Sequence, residues 1–464
     1  MKLKKYKLGE LIEVTRGQSL SGEYYSTNGK LMRLTLGNFD YRNNCFKDDK
    51  SKDNLYFTGP VKKEFILKKD DIITPLTEQA IGLLGSTAKI PCSEKYIQSQ
   101  DVALICCNEK LNPNFAFYLI PSKTVRSQLS AAAQQTKIRH TSPDKIKDCY
   151  VWIPEYSEQE KIGNLLSKID KKIAINREIN RNLEELAKQI YDYWFVQFDF
   201  PNEEGKPYKS SGGKMVWNET LKREIPADWE VKKLNACLKH INTGLNPRDN
   251  FVLGNGSIKY ITVKNLTTDG TIDFSGCDLI DENARTIVHE RSKISKGDIL
   301  FASISPLGRC YIIQEQPENW DINESVFSIR PNQKIITPEY LYCYLTSEWF
   351  MKKAEKEATG SIFAGIRMAA LNAMTIIVPD EKVLKRFSSL IKPIFEQKDK
   401  LFNEIQHLTK LRDNLLPLLM NGQVTLNSYL SHLQYLLQYR QQTSHSAFYN
   451  ITKSNIILNN NNYS

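Results

Sequence analysis

The chain has 464 residues, enough for about two to four domains. Hydrophobic residues make up 41% and charged residues 25%, which excludes a disordered or fibrous protein and allows packed cores. The formal net charge is +10 and the sequence pI is near 8.9, so the composition favours a polyanionic partner such as nucleic acid. The alternative is that this charge only keeps the protein soluble.

The cysteine and histidine patterns argue against disulfides and metals. The nine cysteines include no CxxC pair and the six histidines include no HxxxH pair, which predicts reduced thiols and no metal site. The N-terminus lacks the apolar run of a signal peptide, and no stretch approaches about 18 uninterrupted apolar residues. We therefore expect a cytoplasmic protein that does not contact membranes.

Residues 1–154 are predicted to form a first mixed domain, with a strand at 31–36, a short helix at 115–120 and a strand at 150–154. Polar and basic loops between its apolar runs supply side chains that can hydrogen bond to base edges or phosphates. The candidates for DNA contact in this domain are Arg16, Gln18, Arg33, Asn38, Gln134, Gln135, Thr136, Lys137, Arg139 and His140. The cluster at 134–140 is the strongest candidate, and the alternative for each residue is a solvated loop position.

Residues 155–200 are predicted to form a first long helix. It follows Pro154 and begins at Ser157, which with Glu160 has the spacing of a capping box. Seam residues recur at alternating intervals of four and three, which is the heptad pattern of a coiled coil. They are Ile162, Leu166, Ile169, Ile173, Asn176, Asn180, Leu183, Ala187, Ile190 and Trp194.

Residues 201–225 are rich in Gly, Ser, Lys and Pro and are predicted to be a linker. Residues 226–379 form a second mixed domain, with a strand at 258–263, a short helix at 340–345 and a strand at 375–379. Its candidates for DNA contact are Asn246, Arg248, Lys264, Asn265, Arg309, Thr359, Gly360, Ser361 and Arg367.

Residues 380–426 are predicted to form a second long helix, which starts near Asp380 and stops at Asn421-Gly422. Residues 427–464 are a polar, Asn-rich extension that we expect to be mostly disordered, with a short helix compatible with 429–439. The heptad seam of the second helix consists of Phe387, Ile391, Ile394, Lys398, Leu401, Ile405, Leu408, Arg412, Leu415 and Leu419.

The two halves of the chain are divergent copies of one unit. LKKDDII (67–73) resembles ISKGDIL (294–300), NPNFAFYLIPS (112–122) resembles TPEYLYCYLTS (337–347), and each copy reaches a strand, a proline and a long helix in the same order. The order predicts an α/β (α+β) protein with two pseudo-twofold-related domains. Such a protein can address two half-sites on one DNA duplex.

The two seams correspond position by position, so we expect the helices to pair as an antiparallel intramolecular coiled coil. At a rise of about 1.5 Å per residue each helix would span roughly 55–60 Å, or about 16–17 base pairs. Polar seam residues would fix the register at a cost in stability. The alternative is that each helix belongs only to the core of its own domain.

Several segments resemble the specificity subunits of Type I restriction-modification systems. They are IPEYSEQEKIGNLLSKID (153–170), RNLEELAKQIYDYWFVQFDF (181–200), GKPYKSSGGKMVW (205–217), REIPADWEVKKL (223–234) and LRDNLLPLLMNGQV (411–424). The resemblance covers roughly residues 1 to 426, and family members usually end near there.

The resemblance implies two target recognition domains that read the halves of a bipartite site in double-stranded DNA. It implies that the helical regions dock two methylation subunits, to which restriction subunits are added. S-adenosylmethionine, ATP and Mg are then expected on those partners, with no cofactor on this chain. N6-adenine methylation and ATP-dependent cleavage would likewise be activities of the partners.

Missing motifs agree with a non-catalytic chain. The sequence contains no GxxxxGK[ST] phosphate loop and no [DN]PP[YF] motif of adenine methyltransferases. The alternatives are a single-chain enzyme carrying specificity-like domains, and a stand-alone DNA-binding scaffold or regulator derived from such a subunit.

Overall fold

The structure is a computed structural model that describes residues 2–41, 44–49, 52–78, 83–132, 139–358 and 365–423. Two compact units are present: the first contains the residues up to Lys172 together with those from Leu408, and the second is Ile173–His407. The predicted contact residues Gln134, Gln135, Thr136, Lys137, Thr359, Gly360 and Ser361 lie outside the described residues, as does the extension from 427.

Nine α-helices occur in the described part of the chain, and they include the short helices predicted near 115–120 and 340–345. A π-helical turn at Asp192–Val196 follows the first long helix. The helices are α1 Pro113–Leu119, α2 Lys123–Ala132, α3 Pro143–Lys147, α4 Tyr156–Tyr191, α5 Glu282–Arg291, α6 Pro338–Thr346, α7 Glu348–Glu357, α8 Met368–Ala373 and α9 Glu381–Met420.

The strands of the first unit are short and mostly antiparallel. They are β1 Lys4–Lys7, β2 Ile12–Arg16, β3 Tyr25–Ser26, β4 Leu31–Arg33, β5 Phe39–Asp40, β6 Cys45–Phe46, β7 Tyr56–Phe57, β8 Ile72–Pro75, β9 Thr77–Glu78, β10 Ala88–Lys89, β11 Tyr96–Ile97, β12 Val102–Cys107, β13 Arg139–His140 and β14 Tyr150–Ile153. One sheet has the order β10-β8-β12-β2 and another has the order β11-β4-β7-β3, in which β11 and β4 are parallel. Separate pairs join β1 to β14, β9 to β13 and β5 to β6.

The strands of the second unit are β15 Met215–Asn218, β16 Arg223–Pro226, β17 Glu230–Lys233, β18 Leu238–Thr243, β19 Ile258–Ile261, β20 Asp278–Ile280, β21 Ile299–Ala302, β22 Cys310–Ile312, β23 Trp320–Ile322, β24 Val326–Pro331 and β25 Thr375–Val378. Its four-stranded sheet has the order β18-β24-β21-β22. A second sheet has the order β20-β19-β23, with β19 and β23 parallel, and β17 pairs with β25.

The strand orders confirm the predicted duplication. The β10-β8-β12-β2 sheet and the four-stranded sheet of the second unit have the same order of strands along the chain: β2 corresponds to β18, β8 to β21, β10 to β22 and β12 to β24. The parallel pair β4–β11 corresponds to β19–β23. Each mixed domain also joins a strand near its start to the strand that precedes the following long helix, β1 to β14 and β17 to β25. The fold is therefore mixed α and β, built twice from one plan.

Equivalent sequence signals start the equivalent helices. The Asn112 side chain accepts a hydrogen bond from the Phe115 N–H and Pro113 occupies the first turn of α1. The Thr337 side chain accepts from the Tyr340 N–H and Pro338 occupies the first turn of α6. An N-cap oxygen satisfies a free amide, and a proline at the first position lacks an amide to satisfy, so both helices begin where the sequence dictates.

The predicted heptad seams are buried. Of the seam positions on the two helices, all but Ile190 and Arg412 have at most 7% of their surface exposed, and those two are partly buried. The polar seam residues Asn176, Asn180 and Lys398 are among the buried ones. A seam that alternates four and three and is buried along its length is the packing pattern of a coiled coil.

Cross-helix polar pairs show that the helices run antiparallel. In the second unit, Asn176 of α4 donates to Glu404 of α9 at 2.9 Å, and Glu184 of α4 accepts from Lys398 of α9. In the first unit, the Arg412 guanidinium donates to Asp170 at 2.9 Å. The α9 partner moves toward its N-terminus as the α4 residue moves toward its C-terminus, which confirms the predicted antiparallel coiled coil.

Each of these carboxylates also binds a tyrosine from the domain beside it. Tyr118 of α1 donates to Asp170 at 2.6 Å, and Tyr342 of α6 donates to Glu184 at 2.8 Å. Burial raises the pKa of the Tyr118 and Tyr342 phenols well above their ordinary value, so both remain neutral hydrogen-bond donors. In each unit one carboxylate therefore joins the domain to both long helices.

The helix boundaries differ from the sequence expectation by one residue at their starts. Helix α4 begins at Tyr156, so Ser157 lies inside the first turn and the proposed capping box at Ser157 and Glu160 is wrong. The predicted stop at Asn421-Gly422 is confirmed: Gly422 has φ 70°, and its amide and that of Gln423 bond back to Leu419 and Leu418. This is a Schellman motif, which favours glycine.

Gly244 provides a test of the shared plan. An added Cβ would lie 1.8 Å from the Ile322 carbonyl oxygen, and at the equivalent Gly17 it would lie 2.3 Å from the Ser99 carbonyl oxygen. We predict that Gly244→Ala lowers the free energy of unfolding by about 1–3 kcal/mol or more, because the backbone must shift to admit the methyl group. Chemical denaturation measures this. Gly22→Ala, whose added Cβ would have its nearest neighbour at 4.0 Å, is the matched control; equal effects would contradict the prediction.

Lys398 provides a test of the seam. Its side chain is 6% exposed, its Glu184 partner is 22% exposed, and it also donates to the Asp269 carbonyl at 3.1 Å. We predict that Lys398→Met destabilises the protein by about 3–5 kcal/mol, since it leaves the largely buried Glu184 carboxylate without its cationic partner, and that adding Glu184→Met restores part of the loss.

The control for Lys398 lies on the same helix. Lys385 pairs with Glu381, and both side chains are more than 70% exposed, so Lys385→Met should change the unfolding free energy by less than about 0.5 kcal/mol. A Lys398→Met variant as stable as Lys385→Met would show that the buried Lys398–Glu184 pair does not stabilise the seam.

Candidate nucleic-acid interface

A polar cleft opens in the first unit where three loops meet. We define it by Tyr25, Arg33, Thr35, Asp49, Gln100 and Asp101, and its volume is about 210 Å³. Polar walls of this kind can present both donors and acceptors to a nucleic acid.

Arg16 and Gln18 lie beside this polar cleft. The Arg16 Nε donates to the Gln100 carbonyl oxygen at 2.8 Å, and Gln18 forms a bridge with the backbone of Ser99. The Gln18 amide also donates to the Pro60 carbonyl oxygen at 3.1 Å. Both predicted contact residues therefore hold neighbouring loops together, and each keeps part of its polar surface exposed.

Arg33 and Asn38 are more buried than the sequence suggested, with 8% and 4% of their surface exposed. The Arg33 guanidinium stacks on the Tyr25 ring at 3.9 Å and donates to Asn54. The Asn38 side chain accepts from the Thr35 amide at 2.9 Å and donates to the Lys47 carbonyl oxygen at 3.2 Å. Asn38 thus closes a turn, and this turn ends β4 at Arg33, short of the strand predicted to reach residue 36.

Arg139 and His140 are the described members of the 134–140 cluster. Arg139 lies 3.3 Å from the Glu78 carboxylate and donates to the Ser130 hydroxyl at 2.8 Å. The His140 ring nitrogen is 3.3 Å from the Thr77 hydroxyl, which donates to Asp101 at 3.2 Å. Asp101 lines the polar cleft, so predicted residues from three separate segments converge on one face of the first unit.

The second unit repeats the asparagine-closed turn. Asn265 accepts from the Thr262 amide at 2.9 Å and donates to the Asp273 carbonyl oxygen at 2.9 Å, as Asn38 does with Thr35 and Lys47. Lys264 is exposed at the tip of this turn, where the first unit has Gly37. The turn is therefore part of the common scaffold, and Lys264 is a feature of the second copy alone.

Asn246 and Arg248 lie in one loop of the second unit. Asn246 donates to the Glu324 carboxylate at 2.9 Å, and Arg248 is exposed with a φ of 21°. The loop is anchored by Gly244 against the backbone of Ile322 and by the Tyr260 hydroxyl, which donates to the Leu245 carbonyl oxygen. A base-reading loop needs this kind of rigid support.

Arg309 and Arg367 take different positions in the second unit. Arg309 donates to the Leu266 carbonyl oxygen at 2.9 Å, which ties it to the loop that carries Asn265. Arg367 is exposed and immediately precedes α8, and Gly365 forms a bridge with Ile304. This bridge takes the place that the β9–β13 pair occupies in the first unit.

The sequence search missed the acidic and aromatic members of these sites. Asp101 and Glu324 bond to predicted residues or to their partners, and Tyr25 supports Arg33. The predicted contacts include basic and amide side chains but no Asp or Glu, although carboxylates also accept hydrogen bonds from base amino groups. Two of these residues lie in equivalent segments of the duplicated unit, Gln98–Asp101 and Ile322–Ser325, at the end of a parallel strand. A comparison of the two copies at this position could have identified them.

Two other kinds of site are not found among the described residues. No group of His, Cys, Asp and Glu side chains in this part of the chain could hold a metal ion. Neither the long helices nor the shorter ones there combine the length and apolar character that a bilayer crossing requires.

Comparison with known proteins identifies the family. The model of the Type I restriction modification DNA specificity domain matches the chain twice, at residues 2–185 and 226–407. The chain belongs to this family. One match contains nearly all of the first mixed domain and the other contains the second, in agreement with the duplicated strand order.

Named relatives agree. The chain is 26% identical over 327 residues to the Type I restriction enzyme MjaIX specificity subunit of Methanocaldococcus jannaschii, covering 67% of this chain and 68% of that protein. It is 24% identical over 393 residues to the Type I restriction enzyme EcoBI specificity subunit of Escherichia coli, covering 81% of this chain and 78% of that protein.

A solved structure supports the fold. The S subunit of a Type I restriction-modification system from M. genitalium matches with a TM-score of 0.55 at 16% identity, over 90% of this chain and 96% of that one. At this identity the match concerns the fold alone.

Proposed function

We propose that this chain is the DNA-recognition subunit of a Type I restriction-modification complex. It reads a bipartite target in double-stranded DNA through its two domains, and it docks two methylation subunits and the restriction subunits. The observation that carries the proposal is the duplication: two domains with the same strand order each match the specificity-domain model. Two copies of one DNA-reading domain suit two half-sites.

The loops support DNA reading. Arginine, asparagine, lysine and histidine side chains stand at the ends of strands in both domains, and the chain carries a net charge of +10. Positive charge supplies affinity for phosphates, and amide or guanidinium groups can discriminate between bases. Because the loop residues differ between the two copies while the scaffold does not, the halves of the target should differ in sequence.

Catalysis is assigned to the partner subunits in this proposal. The sequence has no phosphate loop and no adenine-methyltransferase motif, and its relatives carry the name of specificity subunits. S-adenosylmethionine, ATP and Mg would therefore be bound by the partners. Methyl transfer by the purified chain alone would contradict this assignment.

The segment 134–140 provides a test of DNA contact. We predict that changing Lys137 and Arg139 to alanine weakens binding to the first half-site by about 30-fold or more, because two contacts are removed and each contact to a base or phosphate contributes roughly 1–3 kcal/mol. Fluorescence anisotropy on the complex with methylation subunits, at fixed salt, measures the effect.

The matched control is Lys222→Ala, an exposed lysine of the second unit whose side chain is 73% exposed. Affinity that stays the same in the Lys137 and Arg139 variant, or falls equally in the control, would show that the segment 134–140 does not contact DNA.

The long helices provide a test of the spacer. Deleting residues 174–180 from α4 and the facing residues 401–407 from α9 removes Asn176 together with its partner Glu404 and keeps the Glu184–Lys398 and Asp170–Arg412 pairs in register. If helix length sets the spacer, the preferred spacer should shorten by about 3 base pairs, since a heptad rises about 10 Å.

Binding to a series of duplexes with spacers of different length reads out the result. Deleting 174–180 alone shifts the seam of α4 against α9, so that variant should lose stability and binding together. An unchanged preferred spacer in the paired deletion would contradict the role of helix length.

A further inference from the structure

Two loops of the second unit lie side by side and carry a polar pair. One loop runs from Gly244 to Arg248 after β18, and the other runs from Asn323 to Ser325 between β23 and β24. Gly244 approaches the Ile322 carbonyl so closely that no side chain fits between the loops. Their backbones are therefore held in fixed relation, and the side chains at their tips have defined positions.

The pair is Asn246 and Glu324. The Asn246 Nδ2 donates to the Glu324 Oε1 at 2.9 Å, while the Glu324 Oε2 is buried without a hydrogen-bond partner in the described part of the chain. A carboxylate can only accept, so this contact fixes which end of the Asn246 amide faces Glu324. It leaves the Asn246 Oδ1 and the second Nδ2 hydrogen available.

This arrangement leaves polar groups that the described part of the chain does not satisfy. A buried carboxylate oxygen without a donor costs stability, and the neighbouring Arg248 has a φ of 21°, which a residue with a side chain rarely adopts. Unsatisfied polar groups and backbone strain that occur together are more frequent at binding sites than elsewhere. The exposed Arg248 lies two residues from Asn246 and supplies positive charge for a phosphate.

The free groups of Asn246 match one base. An asparagine amide that offers one acceptor and one donor side by side pairs with adenine in the major groove, accepting from N6 and donating to N7. Guanine presents two acceptors at its major-groove edge, so the Oδ1 would face an acceptor without a donor. The oriented amide therefore discriminates between the two purines.

We propose that Asn246, oriented by Glu324, recognises an adenine in the half-site read by the second domain. Asn246 touches the base and Glu324 is a positioning residue. The inference rests on the proposed function and adds to it the base that one residue reads. The first domain has Ser19 and Gln100 at the corresponding places after Gly17 and Ser99, so its half-site is read by different groups.

The test compares the targets of four variants. The chain is purified with the methylation subunits of its system, and bound duplexes are selected from a library randomised at both half-sites, for wild type, Asn246→Ala, Asn246→Asp, Glu324→Ala and Glu324→Gln. Asn246→Ala and Asn246→Asp should lose about 5–100-fold discrimination for adenine at one position of one half-site, which is the range of a bidentate contact. The other positions should stay unchanged.

The base preference at this position distinguishes a positioning role of Glu324 from a purely structural one. Glu324→Ala should relax the same single position by a smaller factor, because the amide can then rotate, and Glu324→Gln, which keeps an acceptor oxygen, should retain the wild-type preference. Asn235→Ala, at an exposed asparagine of the same unit, is the control and should change nothing.

The outcomes separate the two proposals. A wild-type complex that selects no specific sequence would overturn the proposed function. A wild-type complex that selects a bipartite site, with Asn246→Ala keeping every preference or relaxing a position that is not adenine, would overturn the role of Asn246 alone. Thermal unfolding of each variant shows that it is folded.

Discussion

The pairing of two antiparallel helix seams is the constraint on which the rest of the structure depends. Apolar seam residues supply the burial, and the carboxylates of Asp170 and Glu184 fix the register by binding a cation on the other helix. The same carboxylates accept from Tyr118 and Tyr342, so each domain is joined to the helices by the contact that aligns them. Charged pairs of this kind contribute more to specificity of register than to stability, because their desolvation offsets much of their attraction.

The two domains show how one scaffold can display two different sets of side chains. Both copies share the strand order and the N-capped helices α1 and α6. They also share the glycines that closely approach a neighbouring backbone and the asparagine-closed turns. What differs is the set of side chains displayed from those loops, such as Gly37 against Lys264 and Gln100 against Glu324. Backbone geometry is thus set by residues that face inward, which leaves the outward residues free to define a target.

Much of the fold could be predicted from the sequence because its signals are periodic or repeated. The heptad spacing identified seam residues that are nearly all buried, and the duplication predicted equal strand orders. The start of α4 was missed by one residue because Ser157 and Glu160 match a capping box by spacing alone, and spacing does not show which residue leaves the helical conformation. The candidate site was predicted less well. Arg33 and Asn38 carry polar groups that the fold uses internally, and Glu324 and Asp101 matter through partners distant in sequence, which no local pattern reveals.

The proposed function requires two recognition domains on one paired-helix scaffold to read two separate half-sites. Sequencing of the methylated motifs in cells that produce this chain with its methylation subunits tests it most directly, when repeated after residues 226–379 are replaced by the equivalent domain of a relative such as the EcoBI specificity subunit. We expect a methylated motif of two halves around an unspecified spacer. The domain exchange should alter one half and preserve the other half and the spacer. A continuous motif, or a change in both halves, would contradict it.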